Sequence, residues 1–178
     1  MDIVVARYNE DLEWIKPLQE KHNVIVYNKG KEIESIESII LPNVGREAYT
    51  YLYHILYNYH KLAEYTCFLQ GNPFEHCKEL YKEIEETNFK PLGDQIFPVD
   101  AWGSMHSFLP LGLVYENVFN HEFPGEINFA IGAQFIVSKE RIHRFRREIY
   151  NKLVDISVSP QGPWIIERLW LEMYEDRI

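Results

Sequence analysis

Residues 65–76 read YTCFLQGNPFEH, and the chain changes character inside them. Thr66 to Gln70 suit a buried, pleated strand, and Gly71, Asn72 and Pro73 break the run. The spacing then predicts a helix over 73–87, with Asn72 at its cap, Pro73 at its first position and Glu75 bonding back to close the turn. Its inner face is Phe74, Cys77, Leu80, Tyr81 and Ile84. A buried strand that hands over to a helix through a polar loop is half of an α/β unit, so the flanking sequence should repeat it.

It does on the N-terminal side. Strand-like runs stand at IVVA (3–6), NVIVYN (23–28) and, later, NFAIGAQFIVS (128–138). Between the first three lie helical patterns. DLEWIKPLQEKH (11–22) repeats Leu12, Ile15 and Leu18, and Pro17 shortens or bends it. VGREAYTYLYHILYNYH (44–60) puts Ala48, Leu52, Ile55, Leu56 and Tyr59 on one stripe. Strands alternating with helices imply an α/β fold with a mainly parallel sheet covered on both faces.

Residues 88–126, rich in proline and glycine, read as a long irregular region. Trp102, Phe108, Tyr115, Phe119 and Phe123 argue against disorder there. Helical patterns resume at 139–156 (Ile142, Phe145, Ile149, Leu153) and 162–174 (Ile166, Leu169, Trp170, Met173). The 178 residues, 46% hydrophobic and 15% aromatic, are enough for one sizeable core, so a single domain over 1–178 is expected.

A net charge of -9 argues against broad binding to nucleic acid or to anionic membranes, both of which reward basic surfaces. No run reaches the length of a membrane span and no leader pattern opens the chain, so a soluble, cytoplasmic protein is expected. Cys67 and Cys77 are too few for a disulfide framework and should be reduced and partly buried. His54 and His60 do not share a helix face, and His76 and Cys77 point apart, which leaves no zinc pattern. Neither a nucleophile elbow, a P-loop nor a dinucleotide glycine motif is present.

In an open α/β sheet ligands bind beyond the carboxyl ends of the strands. Those ends carry Arg7, Tyr8, Asn9 and Glu10, then Asn28, Lys29 and Gly30, then Gln70, Gly71 and Asn72. LPNVGRE (41–47) adds Asn43 as a cap, Gly45 as a point of close approach, and Arg46, whose guanidinium either meets a diphosphate or pairs with a neighbouring acid. Gln70 ends a buried strand, where its amide needs a partner such as a ligand's phosphate or hydroxyl. The cap explains Asn72 without any ligand, and neutral amides hold a divalent cation poorly. General-base candidates are Asp94, Asp100 and Glu167, each of which is otherwise a solvated or paired surface acid; partial burial among the aromatics of FPVDAWGS would raise the pKa of Asp100.

The motifs VVARYNEDLEW, VYNKG, LPNVGREAYTYLYHI, FLQGNPFEH, GAQFIVSKERI and ERLW together resemble an uncharacterised domain family of fungi, algae, bacteria and large viruses. That family is in turn similar to the GT-A nucleotide-sugar glycosyltransferases, a Rossmann-like fold. The resemblance implies a nucleotide-sugar-binding half over 1–87 and an acceptor or catalytic half over 88–178. It assigns Tyr8, Asn9 and Glu10 to the base and ribose, Lys29 and Arg46 to the phosphates or sugar, and Gln70 and Asn72 to the positions of the metal-binding Asp-x-Asp. Glu167 or Asp100 would be the acceptor's base, and Trp102 would stack on a sugar. The partners implied are a nucleotide sugar and a carbohydrate acceptor. With the aspartates replaced by amides, the implied reaction is metal-independent or only weakly dependent on manganese or magnesium. The competing reading is a transferase-like module that binds a nucleotide or glycan without catalysis.

Overall fold

A computed structural model describes residues 1–104 and 108–176. Eight strands form two sheets: β1 (Asp2–Arg7), β2 (Asn23–Asn28), β3 (Ser38–Ile40), β4 (Tyr65–Gln70), β5 (Phe89–Pro91) and β8 (Phe135–Ser138) in one, and β6 (Ile96–Asp100) with β7 (Glu126–Ala130) in a two-stranded ribbon. The larger sheet has the order β3-β2-β1-β4-β8-β5. Its first four strands are parallel, with Val4 opposite both Ile25 and Phe68, and β8 runs antiparallel to β4 and β5. The expected α/β architecture, a mainly parallel sheet flanked by helices, is therefore present.

Period-two alternation sorts β1 and β4 between two cores. Val4 and Phe68 face one side, under α2 (Arg46–Asn58), α6 (Arg147–Ser157) and α7 (Gly162–Tyr174). Ile3, Val5, Cys67 and Leu69 face the other, under the short helices α1 (Lys16–Gln19) and α3 (Leu80–Glu83) with Leu12, Ile15 and Leu80. Both faces being covered is why these strands read as near-continuous apolar runs. Cys67 and Cys77 are free thiols and buried.

Four elements differ from the sequence reading. The helix expected over 73–87 is a single 3₁₀ turn (Pro73–Glu75) followed by α3, because the His76 carbonyl accepts the Asp94 N–H at 2.9 Å and is lost to the helix ladder. Asn72 makes no side-chain cap. The strand expected over 128–138 is two, β7 and β8, divided where Gly132 (φ 93°) and Ala133 (φ 52°) take left-handed backbone. The described residues of 88–126 carry β5, β6 and α4 (Leu111–Phe119). The helix expected over 139–156 is α5 (Lys139–Ile142) and α6, broken where the Phe145 carbonyl accepts from the Tyr59 hydroxyl at 2.7 Å.

The start of α2 is also unlike its expectation. Its cap is Gly45 rather than Asn43, at φ 61°, and a Cβ there would lie 2.6 Å from Tyr49 Cβ and 2.9 Å from the Ser157 carbonyl. Only glycine allows that left-handed turn so close to α6. Arg46 follows at φ 47°, and its side chain is 59% exposed. Among the described residues no helix is long and apolar enough to cross a membrane.

Candidate functional site

The chain leaves β1 towards β2 on one side and returns to β4 on the other, so the strand order reverses between β1 and β4. Loops on the two sides of such a reversal diverge and open a crevice at the carboxyl ends. A cleft of about 360 Å³ lies there. It is lined by Ala6, Arg7, Tyr8 and Glu10 after β1, Lys29 after β2, Asn43, Arg46 and Glu47 at the start of α2, and Gln70, Gly71, Asn72 and Glu75 after β4. Of the ligand contacts named from sequence, the fold brings together Tyr8, Glu10, Lys29, Arg46, Gln70 and Asn72.

Several of these groups build the cleft rather than face its interior. Arg7, buried, donates through Nε to the Glu10 carbonyl and through Nη1 to Tyr8 O, Asn28 Oδ1 and Lys31 O, tying the ends of β1 and β2 together. Glu10 Oε2 accepts the N–H groups of Tyr8 at 2.7 Å and Asn9 at 3.1 Å. The same carboxylate lies across Gly71, where a Cβ would stand 2.4 Å from Oε2, so the β1 and β4 loops meet without a side chain between them. Asn9 turns away from the cleft and accepts the Lys31 N–H at 2.9 Å. The Lys29 ammonium donates to the Val44 carbonyl at 2.7 Å and to the Arg46 carbonyl, and sits 5.0 Å above the Tyr49 ring. Burial lowers its pKa to about 8, with Glu47 opposing.

Gln70 is held from behind. Its N–H donates to Gln134 Oε1 at 3.2 Å, and Gln134 Nε2 donates to the Pro73 carbonyl at 3.1 Å. Gln134 thus staples the strand end to the loop that follows and leaves the Gln70 carboxamide facing the cleft. Arg46 lies 5.6 Å over the Trp164 ring and 3.6 Å from Glu47 Oε2. Glu47 itself is a nearly buried lining residue, its side chain 13% exposed.

Asp94, Asp100, Trp102 and Glu167, named from sequence, do not line the cleft. Asp100 is exposed at the end of β6, and its Oδ1 accepts the N–H groups of Trp102 and Ser104, so it closes its own turn instead of being partly buried among aromatics. Trp102 beside it is 66% exposed. Glu167 stands one layer behind: Oε1 accepts the Gly132 N–H at 2.8 Å and Oε2 lies 3.7 Å from Arg168. Burial raises its pKa, the Gly132 bond lowers it, and the nearby charge of Glu47 raises it again. Asp94 is exposed.

Sequence reasoning passed over Glu47 and Gln134. Glu47 stands in the first turn of α2, where an acid has an ordinary role, and Gln134 reaches a partner 64 positions away and leaves no local trace. As for metal, the strand-end amides Gln70 and Asn72 carry no charge, and among the described residues no three His, Cys, Asp or Glu side chains gather as ligands. The donor set does not fit a tightly held divalent cation.

No curated protein and no solved structure matches the chain. A family match does exist, and it runs from β1 through β5 and includes every residue that lines the cleft. Residues 3–92, half of the chain, match the family described as protein of unknown function DUF3431, and the chain belongs to that family.

Proposed function

We propose that the cleft binds the diphosphate and sugar of a nucleotide sugar, and that the chain transfers the glycosyl group to a hydroxyl acceptor. The observation that carries this reading is the convergence of Tyr8, Arg46, Gln70 and Asn72 on one cleft at the reversal of strand order. Each has chemistry for a part of such a ligand. Arg46 offers a planar fork to phosphate oxygens, Gln70 and Asn72 offer donors and acceptors to sugar hydroxyls, and the half-exposed ring of Tyr8 offers a face to a base. The volume sits at the lower end of the roughly 300–1,000 Å³ usual for small-molecule sites. No step is assigned to a metal; the charge on the departing diphosphate is met by Arg46.

A second reading, a module that binds without transfer, draws on one observation: Asp100 and Glu167, the acids first suggested as bases, do not line the cleft. One experiment separates the two. The protein is melted with UDP, GDP, UDP-glucose and GDP-mannose, with EDTA or with manganese, and release of nucleoside diphosphate is then followed with the sugar donors. A ligand at a hundred times its Kd stabilises by about 2.7 kcal/mol. For a chain of this length that is a rise of roughly 5–10 °C. A rise that survives EDTA together with turnover supports transfer. A rise without turnover supports the binding module, and no rise with any of the four overturns both.

A further inference from the structure

Several acids of this protein are already engaged. Glu10 accepts two backbone N–H groups, Asp100 two, Glu167 one, and Asp176 pairs with Arg141 and Arg144. Glu47 is different. Its side chain is nearly buried and lines the cleft, yet among the described residues no donor is hydrogen-bonded to its carboxylate, and the closest cation, Arg46 Nε, stands 3.6 Å away. Glu75, the remaining acid of the lining, is exposed. A carboxylate on the wall of a cleft that no protein donor holds has its lone pairs available to a ligand.

Its surroundings suit a hydroxyl rather than a second anion. Glu167 and the buried hydroxyl of Tyr51, one helical turn beyond Glu47, are close enough to feel its charge, and among the described residues that hydroxyl has no hydrogen-bond partner. Lys29 and Arg46 flank Glu47 on the cleft side. An acceptor hydroxyl entering the cleft would find one carboxylate free to take its proton and a guanidinium beside it for the diphosphate.

We infer that Glu47 is the general base of the cleft, the group that deprotonates the acceptor hydroxyl; the inference rests on the transfer reading above. In the step, the hydroxyl proton passes to a Glu47 oxygen and the acceptor oxygen forms a bond to the anomeric carbon. The bond from that carbon to the diphosphate oxygen breaks, and its electron pair leaves on the diphosphate beside Arg46. The protonated Glu47 then returns its proton to solvent. Glu167, held by the Gly132 N–H, takes no part in the step.

The test uses the full chain with UDP, GDP, UDP-glucose and GDP-mannose and four variants: Glu47→Gln, Glu47→Asp, Glu47→Ala and Glu167→Gln. Glu47→Gln is expected to keep the nucleoside diphosphate melting shift while donor turnover falls by about 10²–10⁴-fold, the usual share of a general base. Added formate restores part of the turnover of Glu47→Ala. Glu167→Gln retains turnover within about tenfold. If Glu47→Gln fails to fold, Glu47→Asp and formate rescue carry the test. Turnover of Glu47→Gln within about threefold of the wild type overturns the assignment and leaves the transfer reading standing. A wild type that binds nucleoside diphosphate without turnover overturns the assignment and the transfer together, and a wild type that binds none overturns the site itself.

Discussion

Acidification should weaken the fold through His54. This residue of α2 is fully buried against Tyr27 and Phe68. Its Nδ1 lies 3.0 Å from the Tyr27 hydroxyl and 3.2 Å from Asn58 Nδ2, which can only donate, so the ring proton belongs on Nε2. Protonating Nδ1 would set two donors against each other at a fully buried ring. Burial lowers the His54 pKa to about 4, with Asp2 weakly opposing. The folded value is therefore below the unfolded 6.5, and the unfolded chain binds more protons between the two. Stability is fully present above about pH 6.5 and is lost as pH falls towards 4. From about pH 7.5 to about pH 5 the linkage amounts to ~2 kcal/mol. In a melting experiment that is roughly 4–8 °C. Urea unfolding of the wild type and of His54→Phe at both pH values isolates the effect, since Glu167, whose raised pKa works in the opposite direction, is common to both. The variant should lose at least about 1.5 kcal/mol less than the wild type on acidification. Equal losses would refute the reasoning, because the proton would then be taken up elsewhere.

Other expectations concern the cleft and its supports. Arg46→Ala should abolish the nucleoside diphosphate melting shift while moving the melting temperature of the free protein by no more than about 2 °C, as its guanidinium is exposed and stands 3.6 Å from Glu47. Gln134→Leu removes both staples and takes the side-chain acceptor from the Gln70 N–H, while the Pro73 carbonyl keeps the Cys77 N–H; a loss of about 1–3 kcal/mol in urea unfolding is expected, and weaker ligand binding with it. Gly45→Ala forces a Cβ to 2.6 Å from Tyr49 in left-handed backbone and should cost about 2 kcal/mol or more, read by the same assay.

Strands β1, β2 and β4 and helices α2 and α7 were legible because burial on one or both faces leaves a local period in the sequence. What could not be read depends on partners distant along the chain. Residues 128–138 look like one strand until Gly132 and Ala133 turn the backbone between the ribbon and β8, and nothing local shows that β8 enters antiparallel. The helix after Pro73 has the right stripe and is interrupted by an amide from Asp94. Strand β3, three residues on the sheet edge, has too little apolar pattern to stand out. At the site, the strand-end residues were found because topology alone sends ligands there. Glu47 was hidden because an acid in the first turn of a helix already has an ordinary explanation in the helix dipole. Asp100 misled because aromatic neighbours in sequence do not guarantee burial when the strand is on an outlying ribbon.

The place of β4 in the sheet also limits what part of the chain is able to stand alone. A fragment ending at residue 92 would keep every side chain of the cleft and every position of the family match. It would lack β8, and with it the partner of Tyr65–Phe68. It would also lack α6 and α7, the cover over Val4, Tyr51 and Phe68. The strand that carries Gln70 would become an unpaired apolar edge, the kind of surface that recruits copies of itself. Such a fragment is expected to aggregate rather than bind, which makes the later half of the chain the solubiliser of a site to which it contributes no lining residue.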